Sequence, residues 1–197
     1  MPRLAPLSPE VTPELAETFE QYRRSMGFVP NSVLIMQRRP KLVRALAQLA
    51  AAIWDPQSAV ELGFKRLLAH VASRAHGCHY CMAHTAGAAR RLGVSDDKLA
   101  AVWEYHSSPL YSEAERVALD FALAAAAVPN DVTDELFARL ARHWDEGQVV
   151  EIVAVISLFG FMNRWNDSLA TPLEEEPIKV GQRFLAAHGW TPAEHLG

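Results

Sequence analysis

The sequence predicts an all-α fold, on three observations. Helix-capping residues recur along the chain, apolar residues return at steps of three and four, and no segment alternates between turns of the Asn-Gly or Asp-Gly type. Thr12-Pro13-Glu14 offers an N-cap, a proline at the first helical position and an acid in the first turn, and Gly27 a stop, so a helix is expected over 13–26. Pro30-Asn31-Ser32 opens a short segment before Pro40. Leu42, Leu46, Leu49 and Ile53 then form an apolar stripe that predicts a helix over 40–54. Asp55-Pro56 breaks it, because proline disfavours helical backbone in the preceding residue. The next helix is expected over 58–76, ending at Gly77, and a cysteine-bearing helix over 78–92, closed by Gly93. Ser95 caps a turn carrying Asp96 and Asp97, and Ser112 with Glu115 forms a capping box ahead of 113–127. Thr133 caps 134–143. From Gly147 to about 165 the chain is apolar on nearly every face, the pattern of a helix buried on all sides in a core or a subunit interface. Glu174-Glu175-Glu176-Pro177 reads as a solvated connector to a last helix over 178–188, and the tail from Ile178 onward is expected to pack on a neighbouring chain.

Half of the 197 residues are hydrophobic, enough for one sizeable core. Nineteen basic against 23 acidic residues give a formal charge of −4 and no basic face for nucleic acid. The Met-Pro-Arg-Leu-Ala-Pro start lacks the apolar run of a signal peptide or anchor. Val149 to Met162 is interrupted by Glu151 and falls short of the roughly 20 residues of a spanning helix. A cytoplasmic protein without a membrane partner is the expectation.

Both cysteines fall in one tetrapeptide, Cys78-His79-Tyr80-Cys81, which points to redox chemistry or metal binding rather than a secreted disulfide framework. Three apart on a helix, they share a face at a spacing a disulfide can close. The helix start favours a thiolate, the reactive form, but the dipole alone does not say which cysteine attacks. At about 100° per residue His84 and Thr85 fall in the sector of Cys81, and His79 points away, so His84 and Thr85 are the candidates for moving a proton there. A zinc reading would draw on Cys78, Cys81, His84 and His70 or His76, without the second ligand pair that structural zinc modules bring. Elsewhere, Glu61 has the spacing to pair with Lys65, and Arg164 with Asp167. Glu151 is expected near its helix start, facing solvent.

The run from Arg66 to Thr85, Arg-Leu-Leu-Ala-His-Val-Ala-Ser-Arg-Ala-His-Gly-Cys-His-Tyr-Cys-Met-Ala-His-Thr, resembles the core of the AhpD-like alkylhydroperoxidases of the carboxymuconolactone decarboxylase superfamily. The similarity is strong over about 57–95, and Phe159 to Asp167 with Gly189-Trp190 resembles the longer, peroxidase-related branch. The resemblance implies one AhpD-like helical domain over 1–197 with a C-terminal extension over about 172–197, assembled as a trimer, hexamer or dimer. It also implies a thiol peroxidase without a bound cofactor or metal. Cys81 would attack a hydroperoxide, Cys78 would condense with the sulfenic acid, and a dithiol, thioredoxin-like or lipoyl donor would reduce the disulfide. Two positions depart from the family pattern. A glutamate twelve residues before the first cysteine is here Arg66, and a histidine four residues after the second is here Thr85. His84 is the substitute for that histidine, Arg66 a charge that stabilises thiolate, and Tyr80 and His70 possible support. A decarboxylase-type enzyme, a redox-sensing or metal-binding module without turnover, and a purely structural oligomer are the competing readings.

Overall fold

Helices account for most of the chain, and a computed structural model describing residues 2–196 contains no strand among them. The α-helices are α1 (Ala16–Met26), α2 (Asn31–Met36), α3 (Pro40–Ile53), α4 (Leu62–Ala75), α5 (His79–Arg91), α6 (Asp96–Ala100), α7 (Glu113–Ala126), α8 (Asp134–Leu140), α9 (Glu146–Leu169) and α10 (Glu175–Phe184). Short 3-10 turns flank them, the last at Ala193–His195. The caps act as the sequence indicates. Ser95 accepts from Lys98 N–H, Thr133 accepts from Leu136 N–H, and Ser112 and Glu115 exchange both bonds of a capping box. Each such cap stabilises its helix by about 1 kcal/mol.

α4 is the central element, packed on α5, α7 and α9. Leu67, Leu68, Val71 and Ala72 of α4 are wholly enclosed, as are Ala83 and Ala86 of α5, whose small side chains let the two helices approach closely. Gly77, at φ +75°, makes the turn between them in a conformation that glycine adopts without strain. The cysteines therefore enter at the first turn of a buried helix.

Four expectations are corrected. α4 starts at Leu62 rather than 58 because Glu61 is its N-cap, accepting from the Gly63 and Phe64 N–H groups at 2.8 and 2.7 Å. Glu61 thus does not pair with Lys65. Lys65 is fully buried and meets Glu151 at 2.8 Å, and Glu151 also accepts from the Ala59 and Val60 N–H groups at 3.0 Å each. Burial would raise the Glu151 carboxyl, but Lys65 and the two amides hold it below its ordinary value. Secondly, α9 has 24 residues, opened by a capping box between Asp145 and Gln148, and in length and composition could cross a bilayer. Ile152, Val155 and Ile156 are buried, whereas Val150, Val153 and Phe161 are exposed, so this chain alone does not cover α9 on all sides, which removes the core alternative of the two expected. Thirdly, the tail packs on its own chain. α10 lies on α5, and the Trp190 ring fills the space over Gly181, where an added Cβ would stand 2.3 Å from it. Fourthly, Arg164 donates to Gly160 O at 3.1 Å instead of reaching Asp167, which is met by His195 at 3.3 Å.

Candidate functional site

Cys78 is the N-cap of α5, and its Sγ accepts from the Cys81 N–H at 3.4 Å. Both thiols are free, and Cys78 and Cys81 are 0% and 2% exposed. Their surroundings differ. Cys81 lines a cavity of about 320 Å³, whereas Cys78 is not among its lining residues. Tyr22, Leu46, Trp54, Phe159 and Met162 make the cavity mostly apolar, and Arg66, Tyr80, His84 and Asn166 add polar groups. Asn166 Nδ2 donates to Cys81 Sγ at 3.3 Å.

His84 is fixed in the cavity wall by Glu174, whose Oε2 lies 2.7 Å from His84 Nε2. The Tyr80 hydroxyl donates to Glu174 Oε1 at 3.0 Å, the Asn31 N–H donates to the same oxygen, and the Tyr80 ring stacks on His84 at 4.3 Å. Glu174 is therefore not part of a solvated connector; it folds back under α5 and holds the histidine in place. Burial acts to raise its carboxyl, yet His84 and the Asn31 N–H hold it below its ordinary value. Burial, and then the charge of Glu174, push the Tyr80 hydroxyl well above its usual range, so Tyr80 is a hydrogen-bond donor here.

His70 lies behind the cysteine rather than in front of it, and Thr85, which also lines the cavity, turns its hydroxyl the same way. The Thr85 hydroxyl donates to Cys81 O at 2.7 Å, and His70 Nδ1 lies 2.9 Å from Thr85 Oγ1 and 3.0 Å from Met82 O. Burial pushes His70 down to about 4, so it is a neutral ring that ties α4 to α5. Thr85 thus shares a helix sector with His84 without sharing its task. Arg66 stacks over Trp54 with its guanidinium carbon 3.5 Å from the ring centre. Burial, then Arg91, lower its pKa to about 9. It makes no ion pair among the described residues, so it presents a cation to the cavity. His79 points to the tail, 2.6 Å from Thr191 O.

Sequence reasoning missed a second cluster. The Cys78 thiol, an Asp167 oxygen and a His195 ring nitrogen lie within 4.8 Å of one another. These three, rather than Cys78, Cys81 and His84, are the donors that could hold a metal ion. Asp167 falls in the polar Asn163 to Asp167 run that marks a helix end, a faint signal. For His195, two residues from the chain end, the sequence carries none. Burial, then the Cys81 thiol and the Asp167 carboxylate, raise the Cys78 thiol well above its usual range.

The family model for the carboxymuconolactone decarboxylase family matches residues 40–124. The uncharacterized protein YnjA of Escherichia coli strain K12 is 30% identical over 153 residues, covering 78% of this chain and 84% of that one. The crystal structure of a cysteine-to-alanine variant of the debrominase Bmp8, in complex with 2,3,4-tribromopyrrole, is 34% identical. It covers 92% of this chain and 96% of that one with a TM-score of 0.86. A peroxidase-related protein from Silicibacter sp. TM1040 shares the fold at 22% identity, with 87% and 90% covered and a TM-score of 0.75.

Proposed function

This chain belongs to the AhpD-like carboxymuconolactone decarboxylase superfamily, and from that membership we propose that it is a dithiol reductase of small apolar electrophiles, organic hydroperoxides first among them. The observation that carries the reading is the asymmetry of the cysteine pair, in which Cys81 alone faces the apolar cavity. Cys81 is the nucleophile. Its thiolate takes the terminal oxygen of a hydroperoxide, the O–O bond breaks, and the alkoxide leaves as an alcohol after gaining a proton. His84, aligned by Glu174, supplies that proton from the cavity wall. Cys78 then displaces hydroxide from the sulfenic acid, a disulfide forms and water leaves. A dithiol donor attacks the disulfide at Cys81, the sulfur within reach of the cavity.

A second substrate class has a specific observation behind it. The glutamate and histidine of the peroxidase pattern are absent, and Arg66 stacked on Trp54 makes the cavity suited to an electron-rich or acidic aromatic molecule. The debrominase similarity supports reductive dehalogenation, in which an aryl halide and two thiols give arene, disulfide and hydrogen halide. The experiment supplies the reduced protein and dithiothreitol with cumene hydroperoxide or with a brominated pyrrole, and follows peroxide loss and bromide release. Peroxide loss that requires Cys81 supports the first class, and bromide release the second. The absence of both peroxide loss and bromide release would overturn the reductase reading.

Self-association belongs to the same proposal. The exposed Val150, Val153 and Phe161 line one face of α9, a stripe that a second copy would cover. Light scattering should report more than one chain, and aspartates at Val150 and Val153 should dissociate it.

A further inference from the structure

The far side of the cysteine pair is closed by the C-terminal tail. His195 is 0% exposed. Its Nδ1 lies 2.8 Å from Thr171 O and must donate there, since a carbonyl only accepts. That bond fixes the tautomer and leaves Nε2 as a lone-pair acceptor when the ring is neutral. Nε2 has no hydrogen-bond partner and lies 3.3 Å from Asp167, and a ring nitrogen of His195 lies within 4.8 Å of the Cys78 sulfur. An unpartnered buried ring nitrogen costs about 1–3 kcal/mol unless a group comes to use it.

The backbone holds this arrangement against strain. Ala170, three residues after Asp167, and Ala193, two before His195, adopt φ of +46° and +48°. Both are left-handed positions that cost an alanine roughly 1–2 kcal/mol each. They are the positive-φ residues other than glycine among the described residues, and they flank the two groups that face Cys78. The tail is anchored beside them by the Leu173 N–H donating to His195 O at 2.8 Å and by Trp190 Nε1 donating to His79 O at 2.9 Å.

We propose that His195 and Asp167 form the general-base pair of the resolving cysteine: His195 Nε2 takes the Cys78 thiol proton as Cys78 attacks Cys81, and Asp167 balances the imidazolium. The step balances for any leaving group X on Cys81. The Cys78–Cys81 sulfur bond forms, the bond from Cys81 to X breaks, X leaves with the electron pair, and the proton rests on His195 until solvent or the reductant's thiolate removes it. A thiol that burial keeps protonated needs such a base, and none lines the cavity side of Cys78.

The assignment rests on the dithiol reading, and dithiodipyridine separates the two without depending on the natural substrate. In the reduced protein with a chelator present, Cys81 opens the probe, releases one thiopyridone and keeps a mixed disulfide. Cys78 then closes the disulfide and releases the second. The expected result for His195→Gln and for Asp167→Asn is a ratio of second-phase to first-phase rate about a hundredfold below that of the unsubstituted protein. A ratio equal to the unsubstituted protein's, or both phases slowed in proportion, would overturn the assignment. Release of a single thiopyridone by the unsubstituted protein would overturn the dithiol reading as well. Should the buried His195 substitution prevent folding, the half-exposed Asp167 variant decides.

Discussion

Cys78 and Cys81 stand one helical turn apart in opposite surroundings. Cys81 faces an apolar cavity large enough for a small organic molecule, with the Glu174–His84 pair in its wall. Cys78 faces a closed polar contact with Asp167 and His195 and has no such space before it. In the proposed cycle one face admits substrate and the other handles a proton. A short motif acquires a direction in this way: the two sulfurs are the same chemically, and the packing around them gives one the cavity and the other a polar contact, on which the proposed roles of attack and closure rest.

The comparison can be broken most directly at the cysteines. Cys81→Ser should abolish turnover, whereas Cys78→Ser should leave a sulfenic acid on Cys81 that dimedone traps and mass spectrometry locates. A trapped acid on Cys78 in the Cys81→Ser protein would reverse the two roles. A smaller effect is expected from loosening the closed face. Gly181→Ala places a methyl where the Trp190 ring stands, so the tail should detach and disulfide closure should slow by about tenfold or more, read by the two-phase probe release.

The cavity face gives weaker responses. Glu174→Gln should lower kcat by about tenfold, because His84 loses the carboxylate that aligns it and balances its charge. The same variant carries a stability signature. The Glu174 carboxyl lies below its ordinary value in the fold, so its charge stabilises the protein above the unfolded value near 4.5 and ceases to do so as the pH falls through the folded value. The Tm deficit of Glu174→Gln should therefore be full near neutral pH and shrink below about pH 4.5. Arg66→Met should raise KM for an acidic substrate by roughly tenfold with kcat little changed, and leave a neutral substrate unaffected. Away from both faces, Glu151→Gln leaves the buried Lys65 ammonium without its carboxylate. It should cost about 3 kcal/mol in denaturant unfolding while the folded enzyme keeps its turnover.

Local chemistry made much of this legible beforehand. The caps at Ser95, Ser112 and Thr133 act within one helical turn, so sequence order contains the whole interaction. The placing of both cysteines on the first turn of one helix was legible for the same reason, and so was the turn of His79 away from Cys81. What escaped were contacts across the fold. Glu174 meets His84 across 90 residues, Glu151 meets Lys65 across 86, and His195 reaches Asp167 from the tail. An acidic run such as Glu174 to Glu176 is ordinarily solvated, and only the return of the chain over α5 makes its first member an interior residue. Thr85 and His84 differ by one helical step. Both line the cavity, but the Thr85 hydroxyl bonds Cys81 O and His70 whereas the His84 ring meets Glu174, a distinction that depends on which neighbours α5 has.

The proposed cycle runs between dithiol and disulfide with substrate entering at Cys81. Its most direct measurement is a titration of free thiols in the reduced, metal-free protein before and after one equivalent of cumene hydroperoxide or, in parallel, of a brominated pyrrole. One of the two substrates should remove both thiols in each chain, with one equivalent of substrate consumed and both thiols recovered by a dithiol. Two thiols that persist with both substrates would contradict it.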